Sequence, residues 1–341
     1  MRPGIHVPHT PRGSQPEVMS ERKHLDGYAT GMMLLLCTIW GLHQVAIKAA
    51  APDIAPIMQI ALRSGLSALL VGIVIGCSRE RFFRPDGTLA PGIIIGVLFS
   101  VEFIFVAEGL RFTTASHMSV FLYTAPIFTA LGLQWFLPAE RLRPHQWAGI
   151  AVAFAGIALA FTGGSINTGF SLEMLWGDVL GILAGAGWGA TTVIIRCTRL
   201  CEAPPAKTLV YQLVAAFVLL LVYAAVSGQA GKVSMTGIAW ASVLFQGIVV
   251  TFASYLAWFA LLRRYLASRL SVFSFLSPLF GVAFGVLLLN EPIDAYFAIG
   301  ALLVLAGITL VSRPHKSRPH SDQTVKSSSH RIRSEKAADE T

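Results

Sequence analysis

Three ionisable residues, His43, Arg63 and Glu102, lie inside long apolar stretches of this chain. A charged side chain at the centre of a bilayer costs about 2.5–3.5 kcal/mol even on the most lenient scale, so such residues usually face a partner or a water-filled cavity. Counted along their apolar stretches, all three fall at a similar depth. A guanidinium, an imidazole and a carboxylate at one level could bind a zwitterionic or amphipathic small molecule and could carry a proton. They predict the wall of a polar pocket.

Helical spacing extends this polar layer. Further polar and aromatic residues recur every four positions and so share a helix face: Trp40, Gln44 and Lys48; Gln59, Arg63 and Ser67; Trp188, Thr192 and Arg196. Aromatic residues near the same level could supply apolar walls or cation contacts, although lipid or helix packing explains any single one equally well. The predicted substrate cavity therefore consists of Trp40, His43, Gln44, Gln59, Arg63, Glu102, Tyr123, Trp188, Thr192, Tyr255, Trp258 and Phe275.

Arg63 and Glu102 are predicted to be paired, directly or through one water, because an unpaired charge in low dielectric is costly. Substrate that competes for Arg63 would favour proton uptake by Glu102, and His43 could pass the proton onward. We therefore assign proton coupling to Glu102, assisted by His43. A fixed structural pair with facilitated diffusion of the substrate is the alternative.

Composition defines the elements that must position these residues. Hydrophobic residues make up 54% of the chain and charged residues 13%, whereas soluble domains carry about 25% charge. Apolar runs near the ~20 residues that cross a bilayer occur at about 28–49, 55–77, 91–110, 116–137, 147–163, 176–196, 208–227, 237–262, 269–289 and 294–312. The sequence therefore predicts an all-α integral membrane protein with ten transmembrane helices.

Basic residues predict the orientation. Most of the 26 Lys and Arg fall on one side of the membrane if both termini are cytoplasmic, which favours an N-in, C-in topology. The same bias accounts for the net charge of +8 without nucleic-acid binding, since the basic tail offers no aromatic stacking residues. We interpret residues 1–26 as a polar cytoplasmic leader rather than a removable signal peptide, and residues 313–341 as a disordered cytoplasmic tail.

The chain also carries an internal duplication. Trp40-Gly41, followed by Lys48, recurs as Trp188-Gly189, followed by Arg196. A second stretch, 115–121 running into Pro126, recurs as 267–273 running into Pro278. Two repeats, 28–163 and 176–312, with an odd number of helices each must be inverted relative to one another, an architecture typical of secondary transporters that work by alternating access. Pro126 and Pro278 are predicted hinges, with a static kink as the alternative.

Glycines recur at four-residue spacing within the apolar runs. Gly177, Gly181, Gly185 and Gly189 form overlapping steps of this kind. Such spacing predicts close approach of helix backbones. A nucleotide-binding loop is excluded, because these glycines lie inside an apolar span and do not follow a strand.

These paired motifs, together with Glu140 and Glu291 just after the two proline helices, resemble the drug/metabolite transporter superfamily, and within it the ten-helix EamA-type exporters. The resemblance implies a monomer-sized bundle with a central cavity and a carrier function. Relatives of this type are implicated in the export of amino acids, other metabolites and drugs, and some relatives import.

The sequence predicts a secondary active transporter in the inner or plasma membrane. The predicted substrates are small metabolites, namely amino acids or related compounds, with drugs as a further candidate. Export is favoured; uptake or facilitated diffusion is the alternative. The chain has no Walker motif that would use ATP. A membrane-embedded enzyme is disfavoured because neither a Gly-x-Ser-x-Gly nor a His-Glu-x-x-His motif occurs. We expect no cofactor and no metal, because Cys197 and Cys201 have no second ligand pair nearby. The partners are a substrate, the bilayer and candidate coupling protons, with the oligomeric state left open.

Overall fold

The computed structural model describes residues 26–77, 86–136, 144–167, 172–231, 233–264, 276–293 and 295–311. These residues form helices joined by turns and short connections, and the described part of the chain contains no β-strand beyond one isolated bridge between Ile54 and Val233. The helices are α1 (Gly27–Ala50), α2 (Pro56–Cys77), α3 (Leu89–Phe112), α4 (Ala115–Leu122), α5 (Ala125–Phe136), α6 (Pro144–Asn167), α7 (Leu172–Cys197), α8 (Pro205–Val226), α9 (Gly237–Leu244), α10 (Tyr255–Arg264), α11 (Leu276–Leu289) and α12 (Ala295–Val311). A π-helix, Phe245–Ser254, joins α9 to α10.

Short polar side chains and prolines determine where several helices begin. Asp26 Oδ1 accepts a hydrogen bond from Ala29 N at 2.8 Å, and Thr236 Oγ1 accepts one from Ala239 N at 3.2 Å. Such caps satisfy amides that the first helical turn leaves without partners. Other helices open on a proline, whose missing amide costs nothing at this place: Pro56, Pro144 and Pro205.

Seven helical spans are long and apolar enough to cross a membrane: Gly27–Ala50, Pro56–Cys77, Leu89–Phe112, Ala115–Phe136, Leu172–Cys197, Pro205–Val226 and Gly237–Trp258. The described parts of α11 and α12 are apolar but shorter. Large hydrophobic side chains such as Leu69, Leu287 and Leu302 are exposed on the outside of the bundle, as expected of a surface that faces lipid. The predicted membrane class agrees with these helices, and the count of ten stays a prediction.

The span that contains Pro126 is broken into two helices. α4 ends at Leu122 and α5 begins at Ala125. Thr124 accounts for the break, because its Oγ1 donates to Phe121 O at 2.6 Å and its carbonyl accepts from Ile127 N at 2.9 Å. Pro126 therefore sits in the first turn of α5, where no amide is required. Pro278 lies in the first described turn of α11, and residues 267–273, the second copy of the motif, lie outside the described residues.

The two Trp-Gly motifs occupy equivalent helix crossings. A Cβ on Gly41 of α1 would lie 2.6 Å from Phe280 Cβ of α11. A Cβ on Gly189 of α7 would lie 2.7 Å from Phe128 Cβ of α5. Phe128 and Phe280 follow their respective prolines by the same two residues. The packing role predicted for the spaced glycines is therefore confirmed at Gly189, and α1 makes the equivalent contact.

A third close crossing joins α6 to α12. A Cβ on Gly156 would lie 2.6 Å from Gly300 O, and a Cβ on Gly307 would lie 2.5 Å from Gly149 O. The same interval of sequence separates Gly149 from Gly300 and Gly156 from Gly307. Each helix thus presents matching glycines to the other, and the contact is self-complementary.

Candidate functional site

The structure brings the three predicted ionisable residues to neighbouring positions on α1, α2 and α3. His43, Arg63 and Glu102 are all buried, with exposed fractions of 7%, 1% and 5%. An Arg63 Nη1 proton points at His43 Nε2 in a short hydrogen bond, and the guanidinium carbon lies 4.4 Å above the ring of Phe103. The predicted polar layer therefore contains a packed Arg–His pair against an aromatic face.

The direction of the hydrogen bond in this pair determines the protonation of the imidazole. A guanidinium carries only donors, so Nε2 of His43 must accept, and the ring is neutral with its proton on Nδ1. A second proton on His43 would place two cations in contact within a buried site, which is costly. His43 is thus tied to Arg63 as its acceptor.

The predicted direct pair of Arg63 with Glu102 is not formed. The ion pairs among the described side chains are Arg111–Glu108, His117–Asp178 and Lys207–Asp86. Glu102 lies within electrostatic range of Arg63, but its side chain packs on α7, where a Cβ on Gly187 would be 3.4 Å from Glu102 Cβ. A water link between the two charges stays a prediction.

Arg63 and Glu102 both keep polar atoms that have no hydrogen-bond partner in the described part of the chain. Arg63 Nε is buried with no hydrogen-bond partner there, and no described group donates to the Glu102 carboxylate. Gln44 adds a buried, unpartnered Oε1 from α1. A buried polar group normally finds a partner, so these three residues retain donors and acceptors that a ligand could use.

The predicted aromatic residues form two edge-on pairs. Trp40 and Trp258 have ring centroids 5.7 Å apart at 75°, and Tyr123 and Trp188 have centroids 5.4 Å apart at 82°. Tyr255 lies within electrostatic range of Arg63. The role of these rings as walls of a substrate cavity stays a prediction. Phe275, also predicted here, lies outside the described residues.

Two predicted cavity residues have their polar groups bonded within the protein. Gln59 Nε2 donates to Ile47 O and Ile54 O at 3.0 Å each, and its Oε1 accepts from Ser242 and Gln246 at 2.9 Å each. This network ties the α1–α2 corner to α9 and the π-helix. The hydroxyl of Thr192 donates back to Trp188 O at 3.0 Å.

The π-helix was not expected from the sequence. Wide helical turns of this kind are rare and occur frequently at functional sites. Ser67 Oγ of α2 donates to Gly247 O at 2.8 Å, so the π-helix lies along the polar stripe of Arg63. It carries Gln246 next to His43 and Thr251, whose buried Oγ1 has no partner among the described residues.

A second polar cluster, at the turn between α3 and α4, was also missed. His117 Nδ1 and Asp178 Oδ2 lie 2.9 Å apart, and both residues are buried. Glu291 binds the same turn through its carboxylate. Asp178 and His117 stand inside predicted spans near the ends, so the reasoning applied to the central charges could have found them.

Outside the spans, one ion pair joins the segment before α3 to α8. Lys207 Nζ donates to Asp86 Oδ2 at 2.7 Å, and Thr88 Oγ1 donates to Asp86 Oδ1 at 2.6 Å. The Lys207 hydrogen bond and then those of Thr88 hold the pKa of the Asp86 carboxyl well below its usual value. This contact holds the segment before α3 to the first turn of α8.

A bundle of apolar helices with buried ionisable residues between them defines a multi-pass membrane protein, and comparisons with known proteins identify a transporter. The model of the EamA-like transporter family matches residues 28–162 and again 175–313. The chain belongs to this family.

The relatives are transporters by name. An uncharacterized transporter of Archaeoglobus fulgidus is 27% identical over 298 residues, which cover 86% of this chain and 98% of the relative. A "probable amino-acid metabolite efflux pump" of Escherichia coli is 27% identical to this chain. The match covers 81% of this chain and 92% of the relative. One crystal structure superposes on this chain with a TM-score of 0.57. The match covers 83% of this chain and 97% of the chain in that structure, at 21% sequence identity. The two proteins therefore share a fold.

Proposed function

We propose that this protein is a secondary active exporter of small metabolites, amino acids or related compounds, across the inner (plasma) membrane. The observation that carries the proposal is the buried Arg63, bonded to a neutral His43 and stacked on Phe103, with Glu102 in range. The names of the Escherichia coli and Salmonella typhimurium relatives support the substrate class and the direction.

The proposed architecture is ten helices in two inverted repeats, 28–163 and 176–312, with a leader (1–26), a tail (313–341) and both termini cytoplasmic. The two matches of one family model support the duplication. So do the equivalent crossings of α1 on α11 and of α7 on α5. A helix of the first half thus packs on the second half in the same way as a helix of the second half packs on the first. Such symmetry suits alternating access, in which the contact that closes one side of the membrane opens as the equivalent contact closes the other side.

The proposed binding mode follows from charge complementarity. Arg63 has a free Nε and suits a substrate carboxylate. Glu102 is a carboxylate without a described donor and suits a substrate ammonium, while the Trp40–Trp258 and Tyr123–Trp188 pairs enclose the side chain of the substrate. An amino acid satisfies both charges at once.

The proposed coupling uses the same carboxylate. Glu102 holds either a proton or the substrate ammonium, so the charge of its carboxylate is compensated in both states, and exchange of one for the other links export to proton entry. Glu102 alternates, and the assistance of His43, which passes the proton onward, stays part of the proposal beside its hydrogen bond to Arg63. Pro126, with the break before it, and Pro278 are the proposed points at which the two proline helices flex. Facilitated diffusion, with Glu102 permanently charged, is the alternative.

A panel of amino acids and drugs on proteoliposomes, with and without a pH gradient, tests the proposal. We expect the parent protein to concentrate at least one zwitterionic substrate against its gradient when protons can flow the other way. Glu102→Gln should retain counterflow and lose gradient-driven accumulation, because an amide cannot exchange a proton. Glu108→Gln, on the same helix but bonded to Arg111 and Gln229, is the matched control.

Three other outcomes contradict parts of the proposal. Accumulation by Glu102→Gln equal to that of the parent would remove Glu102 as the coupling site. Counterflow that ignores the pH gradient in the parent would leave facilitated diffusion. Chemical conversion of the substrate would indicate an enzyme.

A further inference from the structure

The turn between α3 and α4 is held by a carboxylate from late in the chain. Glu291 Oε1 accepts from Ala115 N at 2.7 Å, and its Oε2 accepts from Ser116 N at 2.9 Å and from Ser116 Oγ at 2.6 Å. These groups are buried. Glu291 thus binds the free amides at the start of α4, where a negative charge also complements the helix dipole.

A second carboxylate holds the same turn from α7. Asp178 accepts a short hydrogen bond from Thr113 Oγ1 and lies 2.9 Å from His117 Nδ1. Lys48 Nζ, from the end of α1, donates to Thr113 O at 2.7 Å. We call residues 113–117 the α3–α4 corner. Two acids from the second half and one cation from the first half converge on it.

The backbone near Glu291 is shaped for this contact. Asn290 has a positive φ of 53°, the left-handed conformation that ends a helix and turns the chain back. A Cβ on Gly285 would lie 2.3 Å from Ser116 Oγ and 2.4 Å from Glu291 Oε2. Glycine is therefore required at 285 for the carboxylate and the serine to meet.

α4 connects this corner to the central site. It is only eight residues long, and the break at Tyr123–Thr124 separates it from α5. Tyr123, directly after α4, packs against Trp188 at 5.4 Å. A short rigid helix with a break behind it can tilt independently of α5, so movement of the corner reaches the aromatic wall of the cavity.

We propose that Glu291 and Asp178 form a latch that holds the α3–α4 corner and closes the outer end of the transport route, and that the latch opens when substrate leaves. The proposal rests on the proposed function, which supplies the alternating access and places the end of α1 outside. Because both acids come from the second half and the corner from the first, separation of the halves at this end must break these hydrogen bonds. Binding of the corner is thus the closed state of the outer gate.

Access to the centre of the molecule tests the latch without any substrate. Gln44→Cys, in a background where Cys37, Cys77, Cys197 and Cys201 are replaced by alanine, places one thiol at a buried central position. An impermeant maleimide is applied from the outside of whole cells. We expect labelling to be at least about tenfold faster in Glu291→Gln/Asp178→Asn, because the closed state loses its charged acceptors. Glu108→Gln should label at the parent rate.

A locked variant tests the same latch when the charge substitutions disturb folding. Ser116→Cys/Glu291→Cys, in the same cysteine-free background, places one thiol on each side of this contact. Because a cysteine side chain is shorter than that of glutamate, a short bifunctional methanethiosulfonate bridges the two thiols. Cross-linking should abolish counterflow, and a reductant should restore it. Complete cross-linking with undiminished counterflow would overturn the latch, as would unchanged maleimide labelling in a folded double-amide variant. Faster labelling together with no transport of any panel compound by the parent would instead leave the latch standing and overturn the proposed function.

Discussion

The crossing of α1 on α11 and the crossing of α7 on α5 are alike in their glycines and different in their tryptophans. Gly41 and Gly189 leave the same gap for a phenylalanine of the facing helix. Trp40 is tied down, since its Nε1 donates to Ser254 Oγ at 2.9 Å. Trp188 is 37% exposed and meets Tyr123 edge-on. At both crossings the helices lie too close together for a side chain at the glycine position. The polar contacts of the neighbouring tryptophans, in contrast, differ between the two crossings.

That difference extends to the charges. The ionisable residues of the central site, His43, Arg63 and Glu102, all stand on the first three helices, while the second half contributes the π-helix, aromatic rings and the face against which Glu102 packs. The three ionisable residues of the candidate site thus all lie within the first match of the family model, 28–162.

The largest effect on transport is expected from a substitution at the buried arginine of the central site. Arg63→Lys should lower the initial rate of counterflow by about tenfold or more, because an ammonium cannot both stack on Phe103 and reach His43. Arg111→Lys, at an exposed arginine, should transport at the parent rate. Equal rates in the two variants would show that the buried guanidinium does not bind substrate.

The next effect tests the shared scaffold. Gly41→Ala and Gly189→Ala each force a Cβ to within 2.6–2.7 Å of a neighbouring Cβ, and overpacking of this kind costs about 1–3 kcal/mol. Both should lower the Tm measured in detergent by a similar amount. Gly31→Ala, on α1 with no atom within 4 Å, is the control. A drop in only one of the two would show that the crossings are not equivalent.

A smaller effect separates the two tryptophans. Trp40→Phe removes the hydrogen bond to Ser254 and should cost about 1 kcal/mol, whereas Trp188→Phe should change the free energy of unfolding less. Combining Trp40→Phe with Ser254→Ala in a double-mutant cycle measures the coupling. Additive effects would mean that the indole contributes by packing alone.

The smallest effect lies away from both crossings. Because the pKa of Asp86 is held below its usual value by Lys207 and Thr88, the carboxylate stabilises the folded state above the ordinary pKa of an aspartate, and this contribution is lost as the pH falls below it. Asp86→Asn should therefore have a slightly lower Tm than the parent at pH 7 and converge with it toward acid pH. A constant difference across the titration would exclude the ion pair as the cause.

Composition and spacing were sufficient for the membrane class and for the depth of the central charges. The level of a residue in a span follows from counting, so His43, Arg63 and Glu102 could be placed in one layer. Their pairing could not be predicted, because depth does not determine the rotation of a helix. The Cβ of Glu102 lies against α7 at Gly187, and Arg63 bonds to His43 instead.

The π-helix and the α3–α4 corner escaped prediction for other reasons. The sequence of Phe245–Ser254 carries the same apolar pattern as an ordinary helix, and the wider turn arises from packing. Glu291 reaches Ser116 across a sequence separation of 175 residues, a contact that no local pattern encodes. Pro126 did mark the correct region, although the break falls before it, where Thr124 closes the turn.

The glycine seam between α6 and α12 has a consequence for how the molecule is counted. Gly149 and Gly156 face Gly300 and Gly307, so the two helices present glycines at the same spacing to each other. A surface of this kind cannot by itself distinguish a partner from a duplicate. Because both helices belong to one polypeptide, each molecule contains one copy of α6 and one copy of α12. Their one-to-one pairing therefore follows from the covalent chain and does not require the two glycine surfaces to recognise each other.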